Sequence, residues 1–363
     1  MNISTQSKQT IDACRFCWMC RHVCPIGNAT GQERNTSRAR ALSLSLVERG
    51  AAKLEKDIVD NVYECALCGG CTNNCVTGWD PVQFTKEARL EAALNGNLPP
   101  YVEQLVDNQE RTGNIYGVTE LPSELRQEIQ TVSAETDTLL FLGADARYRA
   151  PEAAVAAIRL LKALGVSFTV LEEEPDSGYS FDFLLGAAEE TRQIMSGTAQ
   201  RLRPYQTVIA LDPADAKVFL REYKEWNIPL AAKTVTITAF LEGWISEKEI
   251  ALKQSGQTYT YQDPALLARD LEETEPARKL LAKCGPLREM LLNRQETMLG
   301  GNLIMNEYMP AVMQQVARNR VANARHVSAE TIVCASVADY AMMKAASEDI
   351  KVMTLEEVLL QCL

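Results

Sequence analysis

Eight of the 11 cysteines in this 363-residue chain fall between Cys14 and Cys75, in two runs of one spacing. The first reads Cys14-x2-Cys17-x2-Cys20-x3-Cys24-Pro25, and the second Cys65-x2-Cys68-x2-Cys71-x3-Cys75. Three thiolates at such short steps can wrap a compact loop around one iron–sulfur cubane, each reaching a different iron, while the fourth leads the chain away. Structural zinc favours two separated ligand pairs, so a third cysteine at the same step would be idle. Disulfides inside such tight loops would be strained, and cysteines clustered at one end of a long chain are not the pattern of a small secreted scaffold. The spacing therefore implies two [4Fe-4S] clusters. All eight positions are cysteine, so no three-iron site is expected.

This is the spacing of the bacterial two-cluster ferredoxins, in which the fourth cysteine of each run serves the other cluster. Carried over, that pattern assigns Cys14, Cys17, Cys20 and Cys75 to the first cluster. It assigns Cys65, Cys68, Cys71 and Cys24 to the second. Arg15, Arg21 and His22 stand among the ligands. Either they stabilise the extra electron of a reduced cluster or they are solvated loop charges.

The elements that must hold these loops read as helices. Ala39, Leu42 and Leu46, with Arg38, Arg40 and Glu48 outside, give a helical period over Ser37–Glu48, closed by Gly50. A second helix is expected over Leu54–Tyr63. Asp80-Pro81 is a cap followed by proline at the first helical position, opening a helix to about Leu94. Residues 1–97 thus form a mostly helical ferredoxin-like domain, and 98–135 connecting helices with a loop at Gly113–Gly117.

From Thr138 the texture changes to alternating strands and helices. Strands are expected at Thr138–Leu142, Val166–Leu171, Thr207–Leu211 and Thr234–Ile237. Helices are expected at Pro151–Leu164, Ala187–Gln200, Pro213–Trp226 and Ala239–Ile245. The plan recurs as Thr331–Cys334, a helix after Ala338-Asp339, a strand at Lys351–Met353 and a helix at Leu355–Cys362. Such alternation gives parallel sheets, with ligand sites at the strand carboxyl ends. The fold class is α + α/β, the ferredoxin module being followed by two related parallel-sheet halves, 136–250 and 251–363.

Those halves offer little catalytic material. No P-loop and no Gly-x-Gly-x-x-Gly follows a strand. With only His22 and His326 in the chain, no serine or cysteine has a plausible histidine partner. Glu172–Glu174 and Glu272-Glu273 read as solvated acidic runs, Gly300-Gly301 as a turn, and Cys284, Cys334 and Cys362 as small apolar residues. A net charge of −11 argues against nucleic acid, which demands a basic footprint. No apolar run reaches the length of a membrane span, and Met1–Ala13 is polar and lacks the hydrophobic core expected of an export segment. A cytoplasmic protein is expected, with any membrane contact made through a partner.

The chain resembles the iron–sulfur subunits of heterodisulfide reductases, glycolate oxidase and anaerobic glycerol-3-phosphate dehydrogenase. The resemblance rests on both cysteine runs, Ser37-Arg38-Ala39-Arg40 after the first and Gly78-Trp79-Asp80 after the second. It implies two cysteine-rich α/β domains with Cys-Cys-Gly motifs, which in heterodisulfide reductases hold noncubane clusters that reduce a disulfide. Here the thiolates are missing. Asp176-Ser177-Gly178 and Met298-Leu299-Gly300 stand at the Cys-Cys-Gly places, Asp212-Pro213-Ala214-Asp215 at a Cys-Pro-x-Cys, and Asp263-Pro264-Ala265-Leu266 at an Asp-Pro-Cys-His. No noncubane cluster is therefore expected. Asp212 before Pro213 reads as a helix cap.

Together these readings describe an electron-transfer subunit with no catalytic residues of its own. It would pass single electrons through two [4Fe-4S] clusters between a flavoprotein partner carrying FAD or FMN and a further acceptor. The alternative is a disulfide- or quinone-reducing subunit with an active site in the α/β halves.

Overall fold

The computed structural model describes residues 1, 3–15, 17–132 and 135–363, so positions 133–134 at the end of the connecting segment lie outside the described residues. The first third is helical and the remainder carries two parallel sheets with flanking helices, the expected α + α/β arrangement.

Helices in the first third begin where side chains cap them. Thr36 Oγ1 accepts from the Ala39 amide at 3.4 Å and opens Ser37–Glu48, but the helix turns another face inward than expected. Arg40, Ala41, Leu44 and Val47 are buried, while Leu42 and Leu46 are exposed, because the Arg40 guanidinium reaches in to the Asn35 carbonyl. Asp80 Oδ1 accepts from the amides of Val82 and Gln83 at 3.1 and 3.3 Å, with Pro81 first in the helix Pro81–Leu94. The helix expected from Leu54 starts instead at Lys56 and ends at Tyr63. Leu44, Val62, Trp79, Phe84 and Ala88 form a core against which Cys14, Cys20 and Cys75 pack.

In the first sheet β1 (Thr138–Phe141), β2 (Thr207–Ala210) and β3 (Lys233–Thr236) pair in parallel, with Leu139 opposite Val208 and Val208 opposite Thr234. In the second, β4 (Tyr259–Gln262), β5 (Thr331–Cys334) and β6 (Lys351–Thr354) do the same, with Thr260 opposite Ile332 and Ile332 opposite Val352. A single parallel bridge extends each sheet beyond its first strand, Thr169 beside Leu139 and Leu287 beside Tyr259. Both sheets thus have the chain order second–first–third–fourth. The order reverses between β1 and β2 and between β4 and β5, the place where open α/β sheets bind ligands.

Two expectations are corrected here. Val166–Leu171 is not a strand: only Thr169 pairs, its amide donating to Thr138 O at 2.8 Å and its carbonyl accepting from the Leu140 amide at 2.9 Å. Past it, the amides of Leu142 and Gly143 donate to the Glu174 carboxylate at 2.8 Å each. A side chain takes the donors that a longer neighbouring strand would take. The acidic runs are also not wholly solvated, since Glu174 turns inward and Glu273 accepts from Thr236 Oγ1 at 2.6 Å and from Thr238. The helix after β2 runs on to Glu225, but through a π-helical stretch at Val218–Glu222.

The halves meet at their switch points. Asp212 caps its own helix, Oδ1 accepting from the Ala214 amide at 2.8 Å, while Oδ2 accepts from the Val337 amide of the other half at 2.9 Å.

Candidate iron–sulfur centres

Each cysteine run makes the same turn. After its second cysteine the backbone enters the left-handed region, at Trp18 (φ 70°) and at Gly69 (φ 71°), and then starts a four-residue helix, Met19–His22 or Gly70–Asn73. Glycine adopts that conformation freely, whereas a tryptophan there is strained by about 1 kcal/mol. The turn carries the third cysteine of each run back toward the first two.

The eight thiols line two cavities. Cys14, Cys17, Cys20 and Cys75 border one, with Trp18, Arg38 and Trp79. Cys24, Cys65, Cys68 and Cys71 border the other, with Ser37 and Arg40. Each run sends three thiols to one cavity and its fourth to the other, and among the described residues none of the eight is in a disulfide. The first cavity lies at the surface, where Cys17 is exposed, and the second lies deeper, where Cys24 is buried.

Burial governs the electrostatics of the deeper set. It pushes the Cys24 thiol up to about 11, partly offset by the Arg40 charge, and it raises Cys68 and Cys71 as well. Groups raised in this way become thiolates together only when a cationic centre takes them as ligands, so cluster binding releases protons.

The chain leaves donors for such a centre. Arg40 is 1% exposed, and its Nη1 and Nη2 both donate to Asn35 O, at 2.9 and 3.0 Å, but its buried Nε has no partner. Burial works to lower the Arg40 pKa, yet the charges of Cys65, Cys24 and Cys71 outweigh it and raise the value. Ser37 Oγ lies against Cys71 and has no oxygen or nitrogen partner. A buried unpaired donor is destabilising by about 1–3 kcal/mol, a cost that a bound anion-like sulfur cage would remove. The residues present fit a [4Fe-4S] cluster. Among the described residues, no three or more His, Cys, Asp or Glu side chains form a single-ion site.

The α/β body clamps the second run, which sequence reasoning did not foresee. Arg89, fully buried, donates to Cys65 O at 2.6 Å and to Phe183 O at 2.5 Å. Tyr63 Oη donates to Leu184 O at 2.8 Å, and Tyr308 Oη to Tyr63 O at 2.9 Å. Arg269 donates to Cys68 O at 2.6 Å, to Gln295 O at 2.8 Å and to Thr297 O.

The strand ends present carboxylates where the resemblance places thiolates. Asp215 accepts from Ser177 Oγ and lies so close to Gly143 (φ +80°) that a side chain at that glycine would collide with it. At the equivalent place after β5, Asp339 Oδ1 accepts from the amides of Gly300 and Gly301 at 2.9 Å each, so the glycine pair cradles a carboxylate. Burial pushes Asp339 up to about 7 and Asp176 up to about 6; burial and the charge of Asp212 raise Asp215 well above the usual range. Asp145, Asp212 and Asp339 border a small cavity with Ala265, Tyr179 and Cys68, while Met298 O accepts from Gln262 Nε2 at 2.9 Å. Cys284, Cys334 and Cys362 are fully buried, as expected of small apolar residues.

Residues 10–79 match the 4Fe-4S dicluster domain. Along 91% of its length the chain is similar to one subunit of the dihydromethanophenazine:CoB–CoM heterodisulfide reductase of Methanosarcina acetivorans, at 23% identity over 88% of that protein. The same subunit of Methanosarcina mazei is 22% identical over the same shares of both chains. An uncharacterised iron–sulfur protein of Methanococcus maripaludis is 22% identical over 85% of this chain and 62% of its own length. The resemblance read from the two cysteine runs therefore holds over nearly the whole chain. No helix among the described residues is long and apolar enough to cross a membrane.

Proposed function

We propose that this chain, an iron–sulfur oxidoreductase subunit similar to those of heterodisulfide reductases, relays single electrons between a flavoprotein partner and a further acceptor. Cys14, Cys17, Cys20 and Cys75 would hold one [4Fe-4S] cluster, and Cys65, Cys68, Cys71 and Cys24 the other. The observation that carries this reading is the sorting of eight thiols into two sets, each completed by the opposite run. When bound, each cluster takes up or gives one electron at a time, matching a two-electron flavin to a one-electron acceptor. The chain's own residues position and insulate. Arg40 and Ser37 donate into the deeper site, Arg89 and Arg269 fix its loop, and the core of Leu44, Val62 and Phe84 closes the shallower site from within.

The relatives are named for reduction of the CoB–CoM heterodisulfide. Against that chemistry here, the strand ends carry Asp176, Asp212 and Asp215, hard oxygen donors unsuited to a sulfur-ligated cluster. The α/β body serves as a rigid mount for the cluster module and for contacts with other proteins of the assembly.

Iron and acid-labile sulfide on anaerobically purified protein test the reading, together with electron paramagnetic resonance after dithionite reduction. About eight irons per chain and two one-electron signals are expected. A colourless protein holding stoichiometric zinc would end it, and clearly more iron would show that the α/β body carries a centre as well.

A further inference from the structure

Five of the seven exposed large apolar side chains among the described residues lie on the first cysteine run, on the helix Ser37–Glu48 or beside Cys75: Trp18, Met19, Leu42, Leu46 and Val76. Val76, next to Cys75, is 85% exposed. Arg38, Leu42 and Leu46 follow one another at steps of four along Ser37–Glu48, which places them in one row on that helix. The row begins under Trp18, because the Arg38 guanidinium lies 3.8 Å from the centre of its ring. Trp18, Met19 and Val76 also border the first cavity itself. The apolar surface is thus continuous with the rim of one cluster site. Trp18 holds its place on this rim in the strained conformation that the second run gives to Gly69.

The segment that carries most of this face is charged oppositely to the chain. Residues 1–50 hold seven Lys and Arg against three Asp and Glu, while the whole chain is at −11. Those three carboxylates are taken by Lys8, Arg38 and Arg49. Arg15 and Arg21 therefore stay exposed with no carboxylate partner among the described residues, Arg21 resting 5.3 Å from the Trp18 ring. Trp and Arg beside aliphatic residues are the usual anchors of protein interfaces.

We propose that this face is the docking surface for an electron-transfer protein whose own contact face combines apolar residues with carboxylates. The inference rests on the electron-relay reading and assigns its point of entry or exit to the first cluster. An acidic partner is repelled by most of this chain and attracted at the Trp18 rim, which orients the encounter before contact.

The test uses flavodoxin hydroquinone, an acidic one-electron donor, as the probe. In each transfer one electron leaves the hydroquinone, giving the semiquinone, and reduces one oxidised cluster. Anaerobic stopped-flow rates with the full-length holoprotein should fall as salt is added. At low salt they should drop about tenfold in Arg21→Glu and in Leu42→Glu/Leu46→Glu, the scale of electrostatic steering. Leu94→Glu and Leu291→Glu, made at the two exposed apolar residues elsewhere, should leave the rate unchanged. Dithionite, which requires no docking, should reduce every variant alike at unchanged iron content. Absence of transfer from flavodoxin to a protein that dithionite reduces, a rate indifferent to salt, or an equal drop in the control variants overturns the docking surface. Failure of dithionite itself overturns the relay reading instead.

Discussion

Arg269 and Cys68, 201 positions apart in the chain, are joined by a hydrogen bond of 2.6 Å from the guanidinium to the cysteine carbonyl. The same side chain donates to Gln295 O and Thr297 O, so one arginine ties the second cysteine loop to the second sheet's half. The loop is therefore held partly from outside its own module, with Arg89 holding it from within at Cys65 O. Arg269→Met should loosen it by about 2–3 kcal/mol, the worth of several charge-assisted bonds. Under a chelator challenge the variant should keep about four of about eight irons, with the first cluster's signal intact. Equal loss from both sites would mean that the clamp does not act on the second loop.

Ser37→Ala removes a buried donor beside Cys71. Reduction adds negative charge to a cluster, which a donor stabilises, so its removal should lower one midpoint potential. A net bond energy of about 1.4 kcal/mol corresponds to ~60 mV for one electron. Redox titration followed by electron paramagnetic resonance would show one signal shifted down and the other unmoved. Arg40→Lys, which keeps charge but loses the unpaired Nε, should shift the same signal in the same direction.

Cys17 is exposed at the rim of the shallow site, while Cys68 lies in the loop held by Arg269. Both Cys17→Ala and Cys68→Ala should leave about four irons. Only Cys68→Ala should also lower the melting temperature of the chain by several degrees, because its loop links module to body. Calorimetry on the two variants distinguishes them, and equal melting temperatures would contradict the linkage.

Asp339 gives a pH dependence of definite sign. Burial raises its pKa to about 7, so the folded protein holds the proton more tightly than the unfolded chain does. That stabilisation is complete below the unfolded value near 4 and fades as pH rises through about 7. Between about pH 5.5 and 8 the native protein should lose on the order of 2 kcal/mol that Asp339→Asn retains. Anaerobic denaturant melts at the two pH values measure this difference, and parallel losses in both proteins would refute it.

The cysteine loops were legible because their information is local. Spacing alone marked the eight thiols, and caps such as Asp80-Pro81 fixed helix starts to the residue. Long-range information was not legible. Tyr259-Thr260-Tyr261-Gln262 lacks an apolar run, yet it is β4, the buried first strand of its sheet, where Gln262 Oε1 accepts from Arg320 Nε at 2.5 Å. Glu174 and Glu273 look like surface charge until backbone amides and threonine hydroxyls from other segments are seen to meet them. Arg89 and Arg269 are ordinary helix-face arginines in sequence, and the packing of module against body gives Arg89 the Phe183 carbonyl and Arg269 the Cys68 carbonyl to hold.

The Asp212–Val337 bond gives the repeated body a property that neither copy has alone. Asp212 is 3% exposed, and one of its two oxygens is satisfied by the opposite half. A truncation ending after the first sheet would strip away that donor and open a seam with a carboxylate in it, a loss of about 1–3 kcal/mol from this contact alone. One aspartate thus meets the first turn of a helix in each half and ties the two halves together. Shortened or spliced versions of this body would be expected to be degraded rather than to persist as half-length proteins.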